Sequence, residues 1–244
     1  MAHDETNDVE SDLLEPLGSS DRATQRAACE RASALLRQKP EFRETLHGWL
    51  LQSNPRLRFA AAYVLFRTGR ATLRLLPALL DSLELDDGDL RWTAAHMLAT
   101  LGRMQAEVCP VLLHECRNAA SPRRRRMAVY ALRELAPERA ETQQAFLGAL
   151  EDSDSMVRRA SLSSLAKLTA PGRSCLERVL EIARSDPDAR MQSIAAVVLP
   201  DLVSQHPATR DEVAAELQRL ANTDDLSLVR SARAALQRLA QRPV

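Results

Sequence analysis

Short helical segments that mix small residues with leucine return along the chain about every 33 residues. Leu57-Arg58-Phe59-Ala60-Ala61 recurs as Leu90-Arg91-Trp92-Thr93-Ala94 and as Val157-Arg158-Arg159-Ala160-Ser161. A fixed period of this length predicts a solenoid of stacked repeats. The second position of each copy holds an arginine, which we call the anchor. Steps of 33, 34, 33 and 32 residues separate the five anchors Arg58, Arg91, Arg125, Arg158 and Arg190.

Two fainter copies extend the pattern in both directions. Gln25 lies 33 residues before Arg58, and Arg230 lies 40 residues after Arg190, which indicates an insertion before the last copy. The pattern predicts about seven repeats over residues 13–244 in one elongated domain, because each repeat contacts only its neighbours and length adds units. Residues 1–12 are predicted to be an acidic, disordered tail.

Each repeat is predicted to be two helices joined by a short turn, and the fold is therefore all-α. In the third copy the first helix covers Leu75 to Leu83, and the second runs from Leu90 to Leu101 and stops at Gly102. Aspartate or serine precedes the second helices and can cap their exposed amides. Residues at helical spacing, such as Val157, Ser161, Leu165 and Leu168, are predicted to form the buried stripe.

The acidic turn followed by Val-Arg-x-x-Ala-x-x-x-Leu, which runs from Asp154 to Leu165, resembles the HEAT repeat. The short HEAT-like repeats of bacterial scaffold proteins and of phycobilin lyase relatives are the most similar variety. The resemblance implies a right-handed αα superhelix of helical hairpins, with second helices on the concave side. It also implies that the anchor arginines pack against acidic turns and have a structural role.

The face opposite the buried stripe departs from the solvated charges that such repeats usually carry there. Five of the eight aromatic residues fall on it, together with several arginines. Aromatic and arginine side chains are the commonest anchors of protein interfaces. We call this face the recognition strip and predict that it binds a partner: Phe59, Tyr63, Phe66, Trp92, His96, Arg126, Tyr130, Arg133 and Arg159. The alternative is that these rings fill the groove of the superhelix or are covered by a terminal segment.

Charge is distributed unevenly. Residues 1–21 carry seven acids and no lysine or arginine, so the remaining 33 basic and 26 acidic residues give the solenoid a charge of +7. The tract Arg123-Arg124-Arg125-Arg126 is its most basic point, but consecutive helical residues point in different directions and cannot all bind one ligand. It is either a solvated helix start or a contact for an acidic peptide, a phosphate or the acidic tail.

These features favour a non-catalytic, cytoplasmic scaffold or assembly adaptor that binds a partner protein with acidic and apolar segments. The alternative is a nucleic-acid-binding protein related in fold to the HEAT-like alkylpurine DNA glycosylases, although a pI near 7.0 is low for phosphate tracking. HEAT-like deoxyhypusine hydroxylases hold two irons with repeated His-Glu pairs, and the single pair His114-Glu115 does not supply that ligand set. We therefore expect no catalytic residue, no metal and no cofactor.

The four cysteines lack metal-site spacing and are predicted to be buried. Nothing in the sequence predicts a membrane span, and a monomer is expected.

Overall fold

A computed structural model describes residues 4–241, with side chains from residue 11 onward. This part of the chain forms fourteen α-helices and no strand. The first helices of the hairpins are α1 (Asp4–Leu17), α3 (Phe42–Trp49), α5 (Leu76–Ser82), α7 (Val108–Asn118), α9 (Ala140–Ala149), α11 (Arg173–Ser185) and α13 (Arg210–Leu220). The second helices are α2 (Arg22–Gln38), α4 (Pro55–Arg67), α6 (Gly88–Met104), α8 (Pro122–Leu135), α10 (Ser155–Leu165), α12 (Ala189–Val203) and α14 (Leu226–Gln241). The predicted all-α solenoid class is confirmed.

Every second helix in the described part begins after a capping side chain. In α10, for example, the Asp154 carboxylate accepts hydrogen bonds from the backbone amides of Met156 and Val157 at 2.8 and 3.1 Å. Such caps satisfy amides that have no partner within the helix. The caps recur at steps of 33, 33, 34, 33, 34 and 37 residues: Asp21, Asn54, Asp87, Ser121, Asp154, Asp188 and Asp225.

Four of the five anchor arginines lie four residues after a cap, and each of these four closes the turn that precedes its helix. Arg125 Nη1 donates to the carbonyl oxygens of Ala119 and Ala120 at 2.8 and 3.2 Å. Arg158 binds the corresponding carbonyls of Asp152 and Ser153. The same pair of bonds, to the carbonyls five and six residues before the anchor, is made by Arg58 and Arg91. The anchor therefore satisfies backbone acceptors that the end of the first helix leaves open.

The fifth anchor is Gln192, and its assignment to Arg190 was wrong. Gln192 lies four residues after the cap Asp188, and its Nε2 donates to the carbonyl oxygen of Asp186, six residues before it, at 3.0 Å. The two aspartates in this turn make the register ambiguous in sequence, because either one is an acceptable cap. With Gln192 as anchor, the steps become 33, 34, 33 and 34.

Two anchors also bind a carboxylate of the following repeat. Arg58 Nη2 lies 3.2 Å from Asp81 on α5. Arg125 makes a two-pronged contact with Asp152, with Nε and Nη2 at 2.7 and 2.8 Å from its two carboxylate oxygens. Side-chain exposure in this second pair is only 13% and 9%. The predicted structural role of the anchors is confirmed at these positions, and at Arg125 the partner lies in an acidic turn as predicted.

The predicted stripe forms the core. Ala61, Leu65, Leu98, Leu101 and Leu165 are completely inaccessible to solvent. Helix α6 continues through Gly102 to Met104, so the predicted stop at that glycine was wrong. The four cysteines, Cys29, Cys109, Cys116 and Cys175, are all buried and reduced, as predicted.

The N-terminal segment differs from its prediction. Helix α1 begins at Asp4, inside the segment 1–12 for which the sequence predicted a disordered tail, while residues 1–3 lie outside the described part. Leu13 and Leu17 of this helix are buried, and α1 packs on α2 and α4. Burial of an apolar face stabilises a helix that its acidic composition alone does not.

The chain divides into two compact units, Met1–Val111 and Leu112–Val244. Within the first unit, α4 packs between α2 and α6. Within the second, α10 lies between α8 and α12, and α12 also packs against α14. Helices α3 and α5, like α9, α11 and α13, pack behind their own second helices. Each unit thus has a layer of second helices. No helix in the described part is long and apolar enough to cross a membrane.

Replacement of a stripe leucine tests this core. Leu98→Ala and Leu132→Ala each remove a side chain that is fully buried, and each is expected to lower the free energy of unfolding by about 2–5 kcal/mol. Trp92→Ala, at a ring that is 45% exposed, is expected to cost much less. Urea unfolding followed by circular dichroism measures all three, and an equal loss in the three variants would contradict the assignment of the stripe.

A second prediction concerns the link between repeats. Arg125→Met is expected to lower the free energy of unfolding by about 3 kcal/mol, because it strands the Asp152 carboxylate in a nearly buried site. The hydrogen bonds from Arg125 hold the pKa of Asp152 below its ordinary value of 3.8. The stabilisation is therefore present above about pH 4 and lost as the pH falls through the lowered value.

Urea unfolding of the wild type and of Arg125→Met at several pH values measures this contribution, and the difference should shrink on acidification. Arg173→Met is the matched control, since Arg173 lies 2.8 Å from Glu177 and both side chains are exposed, by 72% and 62%. A loss in the control as large as that in Arg125→Met, or a difference independent of pH, would show that the buried pair is not the source.

Candidate functional site

A groove opens in the first unit between three successive second helices. It has a volume of about 280 Å³ and is lined from α2, α4 and α6. With Gln25 as the anchor of the first repeat, Arg26 and Glu30 occupy the first and fifth positions after it, which are the positions that Phe59 and Tyr63 occupy on α4. The groove therefore lies on the face to which the recognition strip was assigned. Its lining residues on α2 and α4 are Arg22, Gln25, Arg26, Cys29, Glu30, Phe59, Tyr63 and Arg67, and those on α6 are Asp89, Leu90 and Thr93.

Two stacked rings on α4 form the aromatic part of this groove. The ring centroids of Phe59 and Tyr63 lie 6.0 Å apart, with planes inclined by 21°. Phe59 is only 3% exposed, so the prediction that it is a surface contact was wrong, although its ring still borders the groove. Tyr63 is half-buried and is the ring that a ligand can reach.

Arg67 completes the aromatic wall. Its guanidinium carbon lies 5.6 Å from the centre of the Tyr63 ring, and its Nη1 donates to the Tyr63 hydroxyl at 3.1 Å. These contacts hold a cation over an aromatic face, where the ring and the charge attract each other. Arg67 is itself exposed, so its remaining donors face solvent at the edge of the groove.

Arg22 spans the groove from α2 to α6. Its Nε and Nη2 each lie 2.9 Å from an oxygen of Asp87, the cap of α6, and its Nη1 contacts Asp89. Partial burial raises the pKa of Asp87, but the bonds from Arg22 and from the backbone amides of Leu90 and Asp89 outweigh it and lower the pKa overall. Arg22 therefore links two helices that are separated by a whole repeat, and it closes one end of the groove.

The remaining strip residues of the first unit lie outside the groove lining. Trp92 is 45% exposed, and His96 is also exposed on the same helix α6. Phe66 is half-buried near the end of α4. Trp92 is thus the most accessible large ring among the strip residues of this unit, beside a groove with aromatic and arginine walls.

The second unit places a similar pair on α8. The guanidinium carbon of Arg133 lies 5.0 Å from the centre of the Tyr130 ring, and both side chains are half-buried, as is Arg126. Arg159 on α10 differs, because its Nη2 lies 2.6 Å from Asp188, the cap of the next second helix. This ion pair assigns Arg159 to the link between repeats and argues against its prediction as a partner contact.

The four-arginine tract is largely engaged within the protein. Arg124 binds Glu115 by Nε at 2.7 Å and by Nη2 at 3.2 Å, and Arg125 is the anchor that binds Asp152. Arg123 is exposed. The same contact occupies Glu115 of the His114-Glu115 pair, while His114 Nδ1 is 3.2 Å from the side-chain amide of Asn118.

Sequence reasoning missed the contribution of α2 to the groove. Arg26 and Glu30 do occupy strip positions relative to Gln25, but the first repeat matches the consensus only weakly. The predicted strip also omits Arg67, because it includes Phe66 at the neighbouring position. Among the described residues, no group of three or more histidine, cysteine, aspartate or glutamate side chains is arranged to hold a metal ion. Burial raises the pKa of the Cys29 thiol in the groove to about 12, which leaves it almost wholly protonated near neutral pH.

Comparison with known proteins agrees with this architecture. Residues 109–200 match the family model described as HEAT repeats. This segment consists of HEAT repeats. It extends from α7 to α12 and contains the Asp154–Leu165 copy on which the resemblance in sequence was based. No curated protein matches the sequence.

Solved structures with this fold extend beyond the segment that matches HEAT repeats. One chain in a structure of Kap95p with RanGDP matches with a TM-score of 0.65 at 14% identity. The alignment covers 97% of the present chain and 36% of the matched chain. The YibA protein of Escherichia coli has a TM-score of 0.55 at 14% identity, with 98% and 97% of the two chains covered. A designed armadillo repeat protein in complex with the peptide (KR)4 has a TM-score of 0.50 at 13% identity, with 93% and 98% covered. These likenesses show the helical-repeat fold.

Proposed function

We propose that this protein is a non-catalytic scaffold or adaptor that binds a segment of another protein on its layers of second helices. The observation that carries the proposal is the groove of the first unit, in which Tyr63 and Arg67 form an aromatic and cationic wall beside the exposed Trp92. Rings that keep a polar group accessible and arginines that stack on them are the typical anchors of protein interfaces.

The chemistry of the groove defines the kind of segment that it fits. Leu90 and the Tyr63 ring offer apolar surface, while Arg67 offers donors at its edge. Arg26 lies 3.5 Å from Glu30 on the same helix. Arg22 is already neutralised by Asp87 and Asp89. A partner segment with one apolar side chain for the groove and an acidic residue next to it satisfies both features.

In the second unit, Tyr130 and Arg133 repeat the pairing of a ring with an arginine. We infer that these two residues, together with Arg126, form a second contact for the same partner protein. Phe59 and Arg159 are left out as direct contacts because one is buried and the other binds Asp188.

Two structures of similar fold contain a bound partner: Kap95p with RanGDP, and a designed armadillo repeat protein with the peptide (KR)4. The alternative of nucleic-acid binding is not favoured, because Arg124, Arg125 and Arg159 bind internal carboxylates and are not available to phosphates.

The test compares two surface variants in a native, nuclease-treated lysate by quantitative mass spectrometry. Trp92→Ala/Arg67→Glu removes the site of the first unit, and Tyr130→Ala/Arg126→Glu removes that of the second. We expect the same protein to be retained by the wild type and lost or strongly depleted with the first variant. Depletion with the second variant as well would place the partner on both units.

The matched control is Leu51→Ala/Arg37→Glu. It removes a leucine that is 87% exposed and reverses the charge of one exposed arginine, and neither residue lines the groove. All variants must give the wild-type helical circular dichroism. Equal recovery of every protein by the wild type, the first variant and the control would overturn the assignment of the groove as a binding site.

A further inference from the structure

A basic pocket lies in the first unit between α3 and the loop that follows α4. Its volume is about 380 Å³. Three guanidinium groups and one imidazole surround it, against a single carboxylate, Glu44, which is 3.2 Å from Arg43. Among the described residues, no carboxylate lies within ion-pair distance of Arg70 or Arg74. We call this the basic pocket, and its charged and polar lining consists of Arg43, Glu44, His47, Arg70, Thr72 and Arg74.

A helix-terminating turn fixes the position of Arg70. Gly69 has φ of +74°, a conformation that a residue with a side chain rarely adopts. Its amide donates to the carbonyl of Phe66 at 3.2 Å, and the Arg70 amide donates to that of Leu65 at 2.9 Å. This pattern of two backward bonds is a Schellman motif. It ends α4 and directs the chain into the short 3₁₀ turn Leu73–Leu75, which carries Arg74.

Two nitrogen atoms of the pocket are buried without a hydrogen-bond partner. They are His47 Nδ1 and Arg70 Nε. Buried polar atoms in folded proteins are nearly always paired, and each unpaired one is destabilising. Burial, followed by the charges of Arg74 and Arg43, lowers the pKa of His47 despite the opposing effect of Glu44. Positive charge therefore accumulates here without an internal anion to balance it at Arg70 and Arg74.

We propose that the basic pocket binds a phosphoryl dianion. Such a group has three acceptor oxygens in a tetrahedral arrangement, and it can accept from several directions at once, whereas a carboxylate is satisfied by one guanidinium fork. Arg43 and His47 approach from α3, and Arg70, Thr72 and Arg74 approach from the loop after α4. Protonation makes both ring nitrogens of histidine donors, so the His47 ring can add a further charged contact to the anion.

The phosphoryl group can come from a free phosphate ester or from a phosphorylated side chain of a protein. The site is separate from the groove on the second-helix face, because none of its lining residues lines that groove. The two proposals therefore stand or fall independently.

Inorganic phosphate is the first probe, added to the full chain at constant ionic strength. The histidine side chains are followed by ¹H–¹⁵N NMR, and the His47 signals are assigned with His47→Gln. We expect saturable binding with a Kd of about 1 mM or tighter. The pKa of His47 should rise on binding, because a neighbouring dianion favours the charged ring.

Arg70→Gln/Arg74→Gln is expected to weaken phosphate binding at least about tenfold, because two charge-assisted contacts are lost. Arg74→Gln alone, at an exposed position on the 3₁₀ turn, should give a smaller loss and remains informative if the double variant does not fold. Arg31→Gln/Arg37→Gln removes the same charge from the exposed face of α2 and is expected to bind as the wild type does.

Phosphoserine in a short peptide is the second probe. Tighter binding of the peptide than of phosphate would assign the site to a phosphorylated protein, and equal binding would assign it to small phosphate compounds. The proposal is overturned if phosphate leaves the His47 signals and their pKa unchanged up to about 20 mM, well above millimolar affinity. It is also overturned if the control double variant loses as much affinity as Arg70→Gln/Arg74→Gln, which would indicate non-specific screening.

Discussion

The closure of the interhelical turn by one side chain, found in five of the seven hairpins of the described residues, is the interaction on which the rest of the structure depends. A helical hairpin leaves carbonyl oxygens at the end of its first helix and amides at the start of its second. The cap four residues before the anchor satisfies the amides, and the anchor satisfies the carbonyls, as Arg125 does for Ala119 and Ala120. With both sets of backbone groups paired, the hairpin can bury its apolar stripe, and the same turn can be repeated at a nearly constant interval.

The anchors also make the repeats interdependent. Asp152 accepts from Arg125 of the preceding repeat through its carboxylate and from Arg158 of its own repeat through its carbonyl. Arg159 extends the same principle by binding the cap Asp188 of the next second helix. The stability of a repeat array is the sum of unit and interface contributions, and these arginine–aspartate contacts add directional bonds to interfaces that otherwise bury mainly apolar side chains. Much of the arginine content is thereby used inside the fold.

Sequence predicted the repeats well because their periodic features are local. Caps, anchors and the stripe lie within about fifteen residues of each other, and backbone hydrogen bonding determines their spacing. The predictions were wrong where the neighbouring sequence is compatible with more than one structure. Asp186 and Asp188 are both acceptable caps, so only the structure shows that Gln192 is the anchor. Residues 4–12 are acidic and have few apolar positions, but Leu13 and Leu17 dock helix α1 on its neighbours, a contact that the segment itself does not reveal.

The site was less predictable because it depends on contacts between repeats. A helix pattern places Phe59 on the face opposite the stripe, but it does not show that the ring is buried in a groove that α2 and α6 also line. In the same way, Arg159 and Tyr130 occupy equivalent faces of their helices. Arg159 binds Asp188, 29 residues further along the chain, whereas Tyr130 contacts Arg133 on its own helix. Charge in the sequence therefore overstates charge at the surface. The arginines available to a ligand are those to which the repeats supply no carboxylate, and Arg70 and Arg74 in the basic pocket meet that condition.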